Sequence, residues 1–235
     1  MSFFNIDDEL VGFDVELAER LAGALGLRAE FVPISWPELP RLLKEGIIDV
    51  MPGMWYRPYW FYRLQLSEPY FTATVGLAVR DDRRHDFDTM AKLHRSRGLK
   101  IGVPLDTTQL EFVMQRYFNG SDTEFVTVEF WSEYFNGEHP ELDAFLMPAE
   151  HATGWSLLHP EFTVVVPQPN PVHVPTAFGV AIGADDLGRL IDEWILAAES
   201  AGIVEQGFEY WIMGKGAESN EPRWSIIRDV LGWVD

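Results

Sequence analysis

The feature that most constrains the fold is an alternation of helical and strand-like patterns that starts at residue 12. The segment GFDVELAERLAGALGL repeats apolar side chains every helical turn from Phe13 to Leu25, with Asp14 as the N-cap, and stops at Gly26. RAEFVPI then predicts a strand, WPELPRLLKEG a short helix and IIDVMPGM another strand. This βαβ order predicts an α/β fold with a mostly parallel sheet, in which ligands collect at the carboxyl ends of the strands.

A second series of elements follows. ATVGLAVRDD predicts a strand, and the polar, basic run DRRHDFDTMAKLHRSRG reads as a linker before the strand LKIGVPL. A helix in DTTQLEFVMQRYF, strands in TEFVTVEF and LDAFLMP, a helix in EHATGWSLLHP and a strand in FTVVVP come next. The Pro-rich connector PQPNPVHVP leads to the strand TAFGVAIG and the long helix DLGRLIDEWILAAESAG. The chain is therefore expected to form two α/β units.

Composition excludes several functional classes. The 37 acidic and 18 basic side chains give a formal charge of −19, which argues against nucleic acid as a partner because affinity for phosphates comes from Lys and Arg. The absence of cysteine excludes disulfides and thiol nucleophiles. No apolar run approaches the roughly 20 residues of a membrane span, and MSFFNIDDEL lacks the features of an export signal, so we expect no signal peptide in this chain.

Motifs of catalysis and metal binding are also missing from the sequence. The histidines at positions 139, 151, 159 and 173 have neither HxxxH nor HExxH spacing, and no P-loop, G-x-S-x-G or G-x-G-x-x-G occurs. We therefore predict no metal, no cofactor and no catalytic residues.

Several segments, taken in order, carry a resemblance to a known family: GFDVELAERLAGALGL, FVPISWPELPRLLKEGIIDVMPGM, LSEPYF, LKIGVPLDTTQLEF and DLGRLIDEWI. They resemble the extracellular solute-binding proteins of family 3, the amino-acid-binding type of periplasmic protein. The resemblance implies an α/β, two-lobed periplasmic-binding-protein type II (flytrap) fold. Lobe 1 would be residues 1–80 plus 180–235 and lobe 2 residues 81–179, with the ligand cleft between them.

Two further expectations concern the termini. The family normally begins with a strand of lobe 1 that has no counterpart before MSFFN, so a central strand is expected to lose its ladder partners. The tail YWIMGKGAESNEPRWSIIRDVLGWVD resembles a subset of the family that is fused to a sodium:dicarboxylate-symporter-like membrane region.

In lobe 1 the resemblance points to an aromatic site. Trp36, in PISWPEL, matches the aromatic residue that stacks on the ligand, although a core-facing Trp is the alternative. The position of the family's carboxylate-binding Arg, counted back from LSEPYF, holds Trp60. Arg57 or Arg63 could replace that Arg, and a surface role is the alternative for Arg63. Of the six rings in WYRPYWFY, we expect Trp55 and Trp60 to face the ligand and the others to pack elsewhere.

In lobe 2 the resemblance points to a polar turn and to an acidic residue. DTTQ matches the turn where a Thr hydroxyl and helix N-terminal N–H groups hold a ligand carboxylate, which predicts roles for Thr107 and Thr108; a simple N-cap is the alternative. Asp106 replaces a family Gly and adds a negative charge there. The family's amine-binding Asp falls near Pro148, and Glu150 is the replacement, with an exposed helix N-terminal carboxylate as the alternative.

The function implied is reversible, non-catalytic capture of a small solute, amino-acid-like or another small organic molecule. The solute would pass to a membrane transporter component, separate or in the same polypeptide, at the periplasmic or extracellular face. Lobe 2 has no Lys or Arg from Tyr117 to Gly188, which favours a zwitterion or cation, whereas the symporter resemblance favours dicarboxylates. Alternatives are a prephenate/arogenate-dehydratase-like enzyme, which would need Arg groups at two carboxylates, and a sensor domain of a membrane receptor.

Overall fold

The computed structural model describes residues 2–4, 9–104, 111–213 and 215. The helices in this part of the chain are α1 (Phe13–Ala24), α2 (Leu39–Lys44), α3 (Met90–Arg95), α4 (Glu111–Phe118), α5 (Trp131–Phe135), α6 (Ala149–Leu158), α7 (Asp185–Ser200) and α8 (Ile203–Trp211). The strands are β1 (Phe3–Phe4), β2 (Leu10–Val11), β3 (Val50–Trp55), β4 (Gln65–Leu66), β5 (Phe71–Arg80), β6 (Arg97–Pro104), β7 (Asp122–Val128), β8 (Ala144–Pro148), β9 (Phe162–Val165) and β10 (His173–Val180). Across the described ranges, no helix combines the length and the apolar character needed to cross a membrane.

The chain divides into two compact units. The first comprises residues 1–72 and 175–235, and the second comprises residues 73–174. The boundaries fall inside β5 and β10, so the chain passes between the units within these two strands. The boundaries predicted from the sequence, after residues 80 and 179, lie near the far ends of the same strands.

The first unit is built around β10. This strand pairs antiparallel with β3 and with β4. Helices α1, α7 and α8 bury their apolar faces in one cluster with Tyr70 and Phe178, and a second cluster lies under α2 and β3. Burial of the predicted apolar stripe of α1, at about 25 cal/mol per Å² of apolar surface, fixes this helix on the sheet.

A buried tyrosine hydroxyl ties α1 to β3. The helix begins after Gly12, so Asp14 lies in the first turn and is not the N-cap that the sequence predicted. Its carboxylate accepts a hydrogen bond of 2.6 Å from the Tyr70 hydroxyl, which itself accepts the Gly53 N–H at 2.9 Å. Gly53 has φ +75°, and a Cβ there would lie 3.1 Å from the Asp14 carboxylate. Glycine is therefore required at this close approach.

The strand predicted for RAEFVPI is wrong. Residues 27–35 have no regular secondary structure, and Phe31 and Val32 are 38% and 44% exposed. A β-prone segment becomes a strand only through hydrogen bonds to a neighbour, and none of the described strands pairs with it.

The second unit contains a mixed sheet. Strand β6 pairs parallel with β7 and β8, whereas β5 pairs antiparallel with β8 and β9. Rings of Tyr134, Phe135, Phe145 and Phe162 fill the core on one face. The prediction of a mostly parallel sheet is therefore wrong for the described ladders, because every ladder that β5 and β10 form with β3, β4, β8 or β9 is antiparallel.

The basic run is folded and is not a linker. Residues Asp81–Asp86 form a 3-10 helix and α3 follows, with Phe87 and Leu93 buried. Local ion pairs such as Arg84–Asp81 and Lys92–Asp88 satisfy its charges at the spacing of one turn. Because this run contains few apolar residues, its two core residues could not be recognised from the sequence.

Candidate functional site

Glu150 combines burial with an unused acceptor. It lies in the first turn of α6, directly after β8. Its Oε1 accepts the Thr74 N–H at 3.0 Å, while its Oε2 is buried and has no hydrogen-bond partner among the described residues. Burial raises the pKa of the Glu150 carboxyl, and hydrogen bonds from its own N–H and from Thr74 oppose that rise in part. The exposed carboxylate that the sequence left open as an alternative is therefore not what the structure contains.

An unsatisfied buried acceptor is expensive. It costs about 1–3 kcal/mol, and more when charged, so native proteins keep few of them. As a carboxylate, Glu150 can accept a hydrogen bond from an ammonium or guanidinium group; as a neutral acid, it can donate a proton. Both capacities suit a binding or catalytic position better than a purely structural one.

Two polar residues beside Glu150 were missed by the sequence reading. The Thr74 hydroxyl lies 3.2 Å from Nδ1 of His173. Thr74 lies 76 residues from Glu150 and 99 residues from His173, so no local pattern could have found the cluster. His151, the residue after Glu150, meets the Trp131 ring edge-on, with the ring centres 4.7 Å apart. Burial holds the pKa of His151 well below its usual range, so this imidazole is neutral.

In the first unit, Trp36 presents an open aromatic face. It begins a 3-10 turn, Trp36–Glu38, with Pro37 behind it, and 41% of its surface is exposed. Its ring lies 6.5 Å from that of Trp60 in a tilted arrangement. Trp36 can therefore stack on a planar or apolar group.

Trp60 occupies a different environment. Only 1% of its surface is exposed, and it belongs to the core cluster of Leu39, Leu43, Met54 and Leu64. In this structure the indole has almost no surface to offer a solute. The predicted ligand contact of Trp60 stays a prediction, and its position is that of a core residue.

Trp55 and Arg57 form a cation–aromatic pair. The Arg57 guanidinium carbon lies 4.7 Å from the centre of the Trp55 ring, and the side chain is buried. Burial lowers the pKa of Arg57 to about 9, which still leaves it cationic at neutral pH. Arg63, by contrast, lies over Tyr59 and Tyr62 and donates to the Tyr59 carbonyl.

The remaining candidates lie outside the described residues. These are Thr107 and Thr108, together with Asp106, and most of the tail that resembles the symporter-fused subset. In the part of the chain that the structure describes, no group of three or more His, Asp or Glu side chains is arranged to hold a metal ion. The structure thus brings together Trp55 with Arg57 and Trp36 with Trp60 in the first unit, and Glu150 with Thr74 and His173 in the second.

Known proteins with similar sequences include binding proteins and one enzyme. The chain is 26% identical to cyclohexadienyl dehydratase of Pseudomonas aeruginosa over 209 residues, which cover 86% of this chain and 74% of the relative. It is 22% identical to the ABC transporter arginine-binding protein 1 of Escherichia coli K12, over 87% of this chain and 83% of the relative.

A solved structure supports the fold. An ancestral amino acid-binding protein, described as a precursor of cyclohexadienyl dehydratase, has a TM-score of 0.76 and 26% identity over 90% of this chain and 89% of its own. This likeness confirms the predicted α/β periplasmic-binding-protein type II fold.

Residues 1–214 match the family described as bacterial extracellular solute-binding proteins, family 3. The match includes the second compact unit and the first unit as far as residue 214. The chain therefore belongs to family 3 of the bacterial extracellular solute-binding proteins.

Proposed function

We propose that this chain binds a small cationic or zwitterionic solute, amino-acid-like in size, without converting it, and delivers it to a membrane transporter component at the periplasmic or extracellular face of the membrane. Family membership and the arginine-binding relative support the general class of function. Non-covalent capture needs no catalytic group, and the affinity comes from a few polar groups around an apolar surface.

The observation that carries this proposal is the buried Oε2 of Glu150, to which no described residue donates a hydrogen bond. An ammonium or guanidinium group of the solute would donate to this oxygen and offset the cost of burying it. The absence of Lys and Arg from residues 117–188 favours a cation there, because no basic side chain from this stretch competes for the carboxylate. A dicarboxylate would instead meet a second negative charge.

Further contacts with a solute are proposed at residues of the first unit. The exposed indole of Trp36 is suited to stacking on the solute, and a cationic group would gain about 0.5–2 kcal/mol from such a contact. Arg57, supported by the Trp55 ring, is our candidate for a solute carboxylate. Trp60, Thr107 and Thr108 remain proposed contacts on the strength of the resemblance.

A thermal-shift screen tests the proposal. The purified chain is heated with amino acids, polyamines, quaternary amines, dicarboxylates, sugars and prephenate. A solute at 100 times its dissociation constant adds about 2.7 kcal/mol of stability, which shifts the melting temperature by several degrees. We expect hits among cationic amino acids or amines. Stabilisation by dicarboxylates alone would contradict the cationic site.

A dehydratase-like enzyme is the second candidate. It is favoured by the similarity to cyclohexadienyl dehydratase and by the raised pKa of Glu150, since a neutral carboxylic acid can protonate a leaving hydroxyl. Prephenate incubated with the chain and analysed by mass spectrometry tests it. Turnover that is lost in Glu150→Gln would establish the enzyme, whereas binding without turnover supports solute capture.

A further inference from the structure

Glu150 is held by hydrogen bonds that connect three elements of the second unit. Thr74 of β5 donates its N–H to Oε1 of Glu150. A hydrogen bond from the Thr74 side chain also lowers the pKa of the same carboxyl. The hydroxyl lies 3.2 Å from Nδ1 of His173, the first residue of β10. These two strands are the ones in which the chain passes between the units. The proposed function uses neither Thr74 nor His173.

The Thr74 hydroxyl has one proton and two candidate acceptors. A neutral His173 with a bare Nδ1 accepts that proton, and the hydroxyl then turns its lone pairs towards the carboxylate. A protonated imidazole is a donor at both nitrogens, so Nδ1–H donates to the hydroxyl oxygen and the hydroxyl proton turns to Glu150. Protonation of His173 thus adds one hydrogen bond, from the Thr74 hydroxyl to the Glu150 carboxylate.

We propose that Thr74 and His173 are positioning residues for Glu150: Thr74 orients the carboxylate so that Oε2 is the oxygen offered to a cationic group of the solute, and protonation of His173 weakens capture of that group. The solute part of this inference rests on the proposed function. Weakening follows because the additional hydrogen bond draws charge from the carboxylate and because the imidazolium repels a cation.

The charged groups around Glu150 single out His173 as the residue that acts on its carboxyl. A positive charge on His173 lowers the pKa of the Glu150 carboxyl. Strand β8 (AFLMP) has no charged side chain, and β5 has none before Arg80. On the packed helices, His151 is neutral beside Trp131, and Glu133 of α5 pairs with His139. Histidine is also the side chain that changes charge between about pH 5 and 8.

The first experiment needs no solute. The protein is labelled with ¹³C at the glutamate carboxyl carbons and the histidine rings, and NMR spectra are recorded from pH 5 to 8. We expect the Glu150 signal to show a step that follows the titration of the His173 ring, and this step to vanish in His173→Gln and to become much smaller in Thr74→Val, where only the direct effect of the imidazolium charge is left. Thr74→Val keeps the backbone N–H and the side-chain shape. Thr163→Val, the same change at a half-buried site of β9, should keep the step. A His173-linked step that keeps its full size in Thr74→Val, or that is missing from the unaltered protein, overturns the positioning role.

The second experiment measures binding of L-arginine by calorimetry at pH 5.5 and pH 8. We expect affinity to be lower at pH 5.5 than at pH 8. This loss should be about two- to tenfold larger in the unaltered protein than in His173→Gln, the range of one hydrogen bond. Equal pH dependence in the two proteins overturns the link to His173. A His173-linked NMR step without binding of any cationic solute from the screen would reject the proposed function while supporting the positioning of Glu150 by Thr74.

Discussion

Replacing Glu150 with Gln should stabilise the protein and weaken solute binding at the same time. The glutamine carbonyl can still accept the Thr74 N–H, so the local geometry is kept. The buried charge disappears, however, and with it the partner for a cationic group. A purely structural carboxylate would behave in the opposite way, because its loss would remove a favourable interaction.

The pH dependence of stability gives the sign of the change in unfolding free energy. Burial raises the pKa of Glu150 in the folded protein above the value of about 4.3 for an unfolded chain. The unfolded state therefore loses its proton first, and the folded protein loses stability as pH rises through the folded pKa. Glu150→Gln lacks this loss. We expect its unfolding free energy to equal that of the unaltered protein near pH 4 and to exceed it at pH 8.

Binding should change by a larger amount. A hydrogen bond to a charged group contributes about 1.5–3 kcal/mol, which corresponds to an affinity about 10- to 150-fold lower in Glu150→Gln. Urea unfolding at pH 4 and 8 and calorimetry with L-arginine, or with the strongest cationic hit of the screen, measure both effects. Glu138→Gln, at an exposed position of the same unit, is the matched control. A variant that is less stable at pH 8, or one that binds the cation with unchanged affinity, would refute the reasoning.

The other predictions concern stability, measured by urea unfolding, and in one case solute binding, measured by calorimetry. Trp60→Ala should cost about 3–5 kcal/mol because the ring is fully buried, whereas Trp36→Ala should change stability little and instead weaken solute binding; equal stability losses would contradict their different burial. Tyr70→Phe should cost about 1–3 kcal/mol because it leaves the β3 N–H and the α1 carboxylate without their shared partner, and no loss would contradict that bridge. Gly102→Ala should cost about 1–3 kcal/mol because its Cβ would lie 2.5 Å from a buried phenylalanine ring, while Gly23→Ala, in open space on α1, should add about 0.5–1 kcal/mol; the reverse order would refute the packing argument.

The helices were the elements most readable from the sequence. Helix α1 and helix α7 each carry a long apolar stripe at the helical period, and each lies where that stripe predicts. Their hydrogen bonds join residues four apart, so the local sequence contains most of what decides them. The strand predicted at RAEFVPI failed because its hydrogen bonds depend on a neighbour that the local pattern cannot supply.

The residues of the candidate site also differ in whether the sequence could predict them. The sequence singled out Trp36, Arg57 and Glu150 through their places in motifs that resemble family 3. It could not distinguish Trp36 from Trp60, because exposure depends on which side chains from α2 and β3 close over a ring. It also gave no sign of Thr74 or His173.

By itself, then, the sequence determined the helices, the α/β class and the resemblance to a solute-binding family, since each of these is written in short patterns along the chain. The direction of the ladders, the burial of Trp60 and the surroundings of Glu150 were decided only by the tertiary structure. The physical reason is that burial and hydrogen bonding of a side chain depend on segments far away along the chain, as with the 99 residues that separate Thr74 from His173.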